Sequence, residues 1–131
     1  MASSGRPNRV DPKVENIRND IRESNFDSVK STLANFGIDV SDGDGRTALI
    51  NAVIENQHDF VRWLVENGAD INIQDRNGFC ALHFTGQYRM VEISKFLLEN
   101  GADPNLVNRH GRTSADLYEG FHERDISSIQ F

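Results

Sequence analysis

Between Ala48 and Val65 the apolar residues fall into two short stripes, Ala48, Leu49, Ala52 and Val53, then Phe60, Val61, Leu64 and Val65. Each stripe has the spacing i, i+1, i+4, i+5, which gathers its side chains on one face of an α-helix and predicts two short amphipathic helices. The pattern recurs: a shift of 33 residues aligns Gly45, Gly78 and Gly111; Thr47, Cys80 and Thr113; Leu49 and Leu82; Leu64 and Leu97; Gly68 and Gly101. A period of this length marks a solenoid. The phrase "ENGADINIQDRNG", Glu66 to Gly78, returns as "ENGADPNLVNRHG", Glu99 to Gly111. Within it Gly68 and Gly101 follow the second helix, where a left-handed residue lets the chain leave. The clusters "DRNG" and "NRHG" then predict hairpin-like loops between helix pairs.

Thr47 and Thr113 stand where a hydroxyl can accept from a free backbone N–H at the start of a helix, whereas Cys80 in the same register should cap poorly. Two such helices cannot bury both apolar faces alone, so each unit must stack on its neighbours, and the end units must be polar outward. Val14, Ile17 and Ile21, then Phe26, Val29, Leu33 and "NFGIDV" read as a degenerate first unit. Its exit glycine, Gly37, precedes Gly68 by 31 residues rather than 33. At the other end "GRTSADLYEGFHERDISSIQF" keeps Thr113 and fades after Ile126 and Ile129, as a closing cap.

The stretch "DRNGFCALHFTGQYRMVEISKFLLENGADPN" resembles the ankyrin repeat, with "CALH" and "TALI" at the Thr-Pro-Leu-His position, both without the proline, and "FLLENGAD" and "WLVENGAD" at the helix exit. The resemblance covers about residues 13 to 131 and implies an all-α ankyrin-repeat solenoid. The expected organisation is a flexible tail over residues 1–11 and one domain over 12–131. That domain divides into a capping repeat to about 41, repeats over 42–74 and 75–107, and a capping repeat over 108–131.

Composition narrows the functional classes. With 14 Lys+Arg against 20 Asp+Glu the net charge is −6, unfavourable for nucleic acid or an anionic membrane, which call for clustered positive charge. No apolar run is long enough to span a bilayer, and the polar start offers no secretory signal, so a cytoplasmic location is expected. The single cysteine, Cys80, agrees with a reducing compartment.

Cys80 and His83 are the only thiol and base within one helical turn of each other. A nucleophilic site also needs an orienting third group and a pocket, and the resemblance makes both residues structural. His58, His110 and His122 lie in different units without ligand-spaced partners, so neither metal nor cofactor is expected. Asp59, Glu66, Glu92 and Glu99, with Arg62 and Lys95 between them, read first as a solvated second-helix face and second as a surface steering a basic partner.

The resemblance implies partner contact at the loop tips and the exposed side of the first helices. By register these are Asp44, Arg46, Ile54 and Glu55, then Arg76, Asn77, Phe79, Gln87 and Tyr88, then Arg109, His110 and Arg112. Arginines and aromatics among them are the types that dominate binding energy, although either ring at Phe79 or Tyr88 has packing on a neighbouring repeat as its alternative. The expected protein is a non-enzymatic protein-binding module, monomeric before binding, that inhibits a partner. The narrower expectation is an immunity protein neutralising a basic bacterial toxin enzyme, and the alternative a signalling or host-directed adaptor that scaffolds without inhibiting.

Overall fold

The structure, a computed structural model, describes residues 10–118 together with Ile129 and Phe131. Its helices are α1 (Pro12–Glu15), α2 (Ile17–Arg22), α3 (Phe26–Phe36), α4 (Ala48–Ile54), α5 (His58–Glu66), α6 (Ala81–Gln87) and α7 (Val91–Glu99), followed by a 3-10 turn at Ala115–Tyr118. No strand occurs among the described residues, so the predicted hairpin-like loops are turns closed by isolated backbone pairs.

Both predicted stripes fold as helices. Ala48, Leu49, Ala52 and Val53 of α4 and Phe60, Val61 and Leu64 of α5 are all buried, and Val65 is half-buried. The first helices form the spine, with α4 packed against α2 on one side and α6 on the other, and α6 against the 3-10 turn. Burial is therefore shared between units, as the solenoid logic requires. On the second-helix side Phe26 of α3 stacks on Phe60 at 4.6 Å and Phe60 on Trp63 at 5.5 Å, joining the first unit to the second.

Helix ends follow the repeated residues. Gly68 and Gly101 have φ of 90° and 98°. After each, an alanine N–H reaches back to the helix, Ala69 to the Leu64 carbonyl at 3.0 Å and Ala102 to that of Leu97 at 2.9 Å, the six-to-one bond that closes a helix through a left-handed residue. Thr47 Oγ1 accepts from the Ile50 N–H at 3.3 Å. Thr113 accepts from Asp116 N–H at 3.3 Å while Asp116 Oδ2 accepts from Thr113 N–H at 2.9 Å, a reciprocal cap.

At Cys80 the capping runs the other way. The His83 Nδ1 accepts the Cys80 backbone N–H at 2.9 Å, leaving the ring proton on Nε2, which donates to the Arg112 carbonyl at 3.1 Å. One neutral imidazole thus completes a capping box at the start of α6 and fastens the next loop.

In the first unit the first helix is broken at Asn16 into α1 and α2. Asp11 accepts the Lys13 N–H at 2.8 Å to cap α1, and Val10 packs against the core. The crevice between α2 and α3 is lined by Lys13, Asn16, Asp20, Ser28, Ser31, Thr32 and Asn35, a polar surface suited to a stack end. The buried Asp20 carboxylate there accepts from Asn16 Nδ2 and the Ser28 hydroxyl. Residues 1–9 of the expected tail over 1–11, and most of the closing cap, including Ile126 and His122, lie outside the described residues.

Two measurements test this packing. Leu64 and Leu97 are fully buried, so Leu64→Ala or Leu97→Ala should each lower the unfolding free energy by about 2–5 kcal/mol in urea titrations. Burial pushes the His83 pKa below its ordinary 6.5. The unfolded chain therefore takes up this proton first on acidification, and the stability His83 contributes is complete above about pH 6.5 and lost below it. Thermal denaturation should show that loss as the pH falls below about 6.5 in the native chain and not in His83→Gln.

Candidate functional site

The loops between helix pairs are built three times by one device. Asp42, Asp75 and Asn108 open them, and each side-chain Oδ1 accepts two backbone N–H groups, two and four residues ahead. The pairs are Asp44 and Arg46 at 2.9 and 3.0 Å, Asn77 and Phe79 both at 2.9 Å, and His110 and Arg112 at 2.8 and 3.1 Å. Short Asx side chains that mimic a backbone turn hold the loop in one shape. Adjacent loops are then pinned, Arg76 N–H to the Asp44 carbonyl and Arg109 N–H to that of Asn77, each at 3.0 Å. Gly78 closes its loop with φ of 78°, and a Cβ there would lie 2.9 Å from the Arg109 nitrogen, so the approach of the next loop excludes any other residue.

The loops deliver side chains toward the first helices. In the second unit the register positions 46, 51 and 55 hold Arg46, Asn51 and Glu55, all charged or polar, and 33 residues later the same positions hold Phe79, Phe84 and Tyr88, all aromatic. The rings form a ladder, Phe79 to Phe84 at 5.0 Å and Phe84 to Tyr88 at 6.2 Å between centroids. Phe84 is its buried floor at 5% exposure and Tyr88 its open end at 51%. Arg46 crosses from the second unit, its Nε donating to Asp75 Oδ2 at 3.3 Å and its guanidinium lying 5.3 Å from the Phe84 centroid. A concavity of about 190 Å³ lies between Arg46, Asn77, Phe79, Gln87 and Tyr88, with Asp75 and Phe84 beneath.

Five expected contact residues, Arg46, Asn77, Phe79, Gln87 and Tyr88, thus line one concavity. Asp44, Arg76, Arg109, His110 and Arg112 are exposed on the loop tips around it. Glu55 has another engagement, since its carboxylate receives Arg18 Nε at 2.9 Å and Arg22 Nε at 3.2 Å from α2. Burial works to raise the Glu55 pKa, and the Arg22 and Arg18 hydrogen bonds together outweigh it, so the group is held below its ordinary value. Glu55 thus ties the second unit to the first, while the neighbouring Ile54 is half-buried against the core.

Phe79 also differs from its expected solvent-facing role. It is half-buried, packs against the core and tilts over His83 at 5.5 Å. Phe84 and Asp75 were not foreseen in the site. Their signals were the i, i+4 pairing of Phe84 with Tyr88 and the recurrence of an Asx residue at 42, 75 and 108.

The thiol–imidazole pair is close but poorly suited to nucleophilic chemistry. Cys80 Sγ lies 3.1 Å from His83 Nδ1, both residues are buried, and burial raises the thiol pKa, which keeps it protonated. That nitrogen is already shared with the Cys80 backbone N–H. No group of His, Cys, Asp and Glu able to hold a metal occurs among the described residues, and among them no helix is long and apolar enough to cross a membrane.

A family model described as ankyrin repeats in three copies matches residues 20–108, more than half of the 131 residues. The chain belongs to the ankyrin repeat family. Curated relatives that it matches include the Notch-regulated ankyrin repeat-containing proteins of human and mouse, 35% identical over 68 residues, which is 48% of this chain and 60% of theirs. The zebrafish form A is 34% identical over 68 residues, covering 48% and 61%. The chain thus spans about 60% of the length of these relatives. The ankyrin repeat is a protein-interaction fold, generally non-enzymatic, and the concavity here lies where two of its repeats meet.

The two rings should separate in their effects on folding. Phe79→Ala should lower stability by about 1–2 kcal/mol, less than a fully buried ring, while Tyr88→Ala should stay within about 0.5 kcal/mol of the native chain in chemical denaturation.

Proposed function

We propose that this ankyrin repeat protein captures a segment of a partner protein in the concavity between its second and third helix pairs, acting by occupancy and without chemistry of its own. The observation that carries the reading is the ladder of Phe79, Phe84 and Tyr88. Polar residues hold the same register one unit earlier, and the ladder leaves a half-exposed tyrosine beside an arginine fixed in place. Aromatic and arginine anchors held rigidly before binding lose little entropy on association.

Scaffolding in a signalling setting is favoured over toxin neutralisation. The relatives' shared name marks them as Notch-regulated, and the loop tips beside the concavity carry Arg76, Arg109 and Arg112. A basic toxin enzyme would instead meet the α5 and α7 side, where Asp59, Glu66, Glu92 and Glu99 are exposed.

Site-specific photo-crosslinking tests the surface. A photoreactive residue in place of Gln87 should capture a specific protein in cells, and one in place of Glu66 should not. Capture from Glu66 alone would move the interface to the second-helix side and restore the toxin reading if the captured protein were a basic enzyme.

A further inference from the structure

The chain is acidic overall, with a net charge of −6, yet the rim of the concavity is not. Of the three loop aspartates, Asp75 is 7% exposed and has both oxygens engaged, by Asn77 and Phe79 N–H groups and by Arg46. Asp42 likewise accepts from Asp44 and Arg46 N–H groups on one oxygen and from Asn51 Nδ2 on the other. Only Asp44 remains outward as an exposed carboxylate on these loops. Against it stand Arg76 and Arg109, both exposed and, among the described residues, in no ion pair. Arg109 reaches only an amide, Asn77 Oδ1 at 3.2 Å.

Arg46 adds the decisive donor. Its side chain is only 20% exposed, and its orientation is fixed by Asp75 on one side and the Phe84 ring on the other. A guanidinium has five N–H donors. Only the one on Nε has an acceptor here, so the four on the terminal nitrogens have none among the described residues. A planar cation held against a concavity with those donors unmet matches a carboxylate, which can receive two of them side by side. The space next to it, about 190 Å³ walled by Phe79, Phe84 and Tyr88, is smaller than a drug-sized pocket and of the order of one large side chain.

We propose that the occupant is an extended acidic segment of a partner protein. One apolar side chain enters between Phe79 and Tyr88, a neighbouring carboxylate is received by the terminal nitrogens of Arg46, and flanking acids meet Arg76 and Arg109. This rests on the reading of the concavity as the partner-binding site and specifies the chemistry of what enters it.

Fluorescence anisotropy on the full chain tests it with short labelled peptides of Asp and Glu around one central Leu. Controls replace that Leu by Ser or the acids by Lys, and an oligouridine of equal charge is the nucleic-acid arm. The acidic Leu peptide should bind and both altered peptides should not, with affinity falling steeply with salt. Arg46→Met and the double variant Arg76→Glu/Arg109→Glu should each weaken it by about tenfold or more. Equal binding of the Lys peptide, indifference to the Arg76→Glu/Arg109→Glu change, or preference for oligouridine overturns the proposal. A displayed random-peptide library selected in parallel separates the two levels. Peptides that need Tyr88 but are neutral or basic defeat the acidic assignment and leave the site standing, while a library yielding none that depend on Tyr88 defeats both.

Discussion

The Asp75 carboxylate sits where two repeats meet, and the geometry of the groove follows from what it accepts. One oxygen receives two backbone N–H groups and fixes the loop that carries Asn77 and Phe79; the other receives Arg46 from the preceding unit. Removing one partner of such a buried group leaves a desolvated charge behind, which costs more than the bond itself contributes. A single acid therefore sets the position of both walls, one aromatic and one cationic. The loop closes the same way at Asp42 and Asn108, but among the described residues only at 75 does an arginine of the neighbouring unit complete the arrangement.

Much of this fold was legible in the sequence because the repeat wrote it twice. The exit glycines Gly68 and Gly101, the capping threonines and the apolar stripes of α4 and α5 depend on local rules that one strand of text displays. The break at Asn16 was not legible, since no second copy of the first unit exists against which to compare it. Nor were the left-handed residues at Ser24, Asn56 and Arg89, with φ of 58°, 56° and 59°, which turn each first helix into the second. Three different side chains occupy that position, so no glycine signals it.

The site was partly legible for the same reason. Register placed Arg46, Asn77, Phe79, Gln87 and Tyr88 on one face, and the structure gathers them. Register could not show that Glu55, equivalent to Tyr88, is drawn toward Arg18 and Arg22, because those arginines lie in the divergent first unit. Nor could counting charges show what a partner meets. Asp42 and Asp75 weigh against the loop arginines in composition, but both are folded into the backbone and contribute little outward field.

Because each unit touches only its neighbours, the stack has no global lock, and opening is expected to begin at its ends and travel inward. The groove is made by α6 and the loops at 42–46 and 75–79, the interior of the stack, so fraying of the first or last unit leaves its walls in place. Amide exchange would register such a molecule as a slow centre with fast margins. The proposed binding surface is thereby housed in the part of the chain expected to open last.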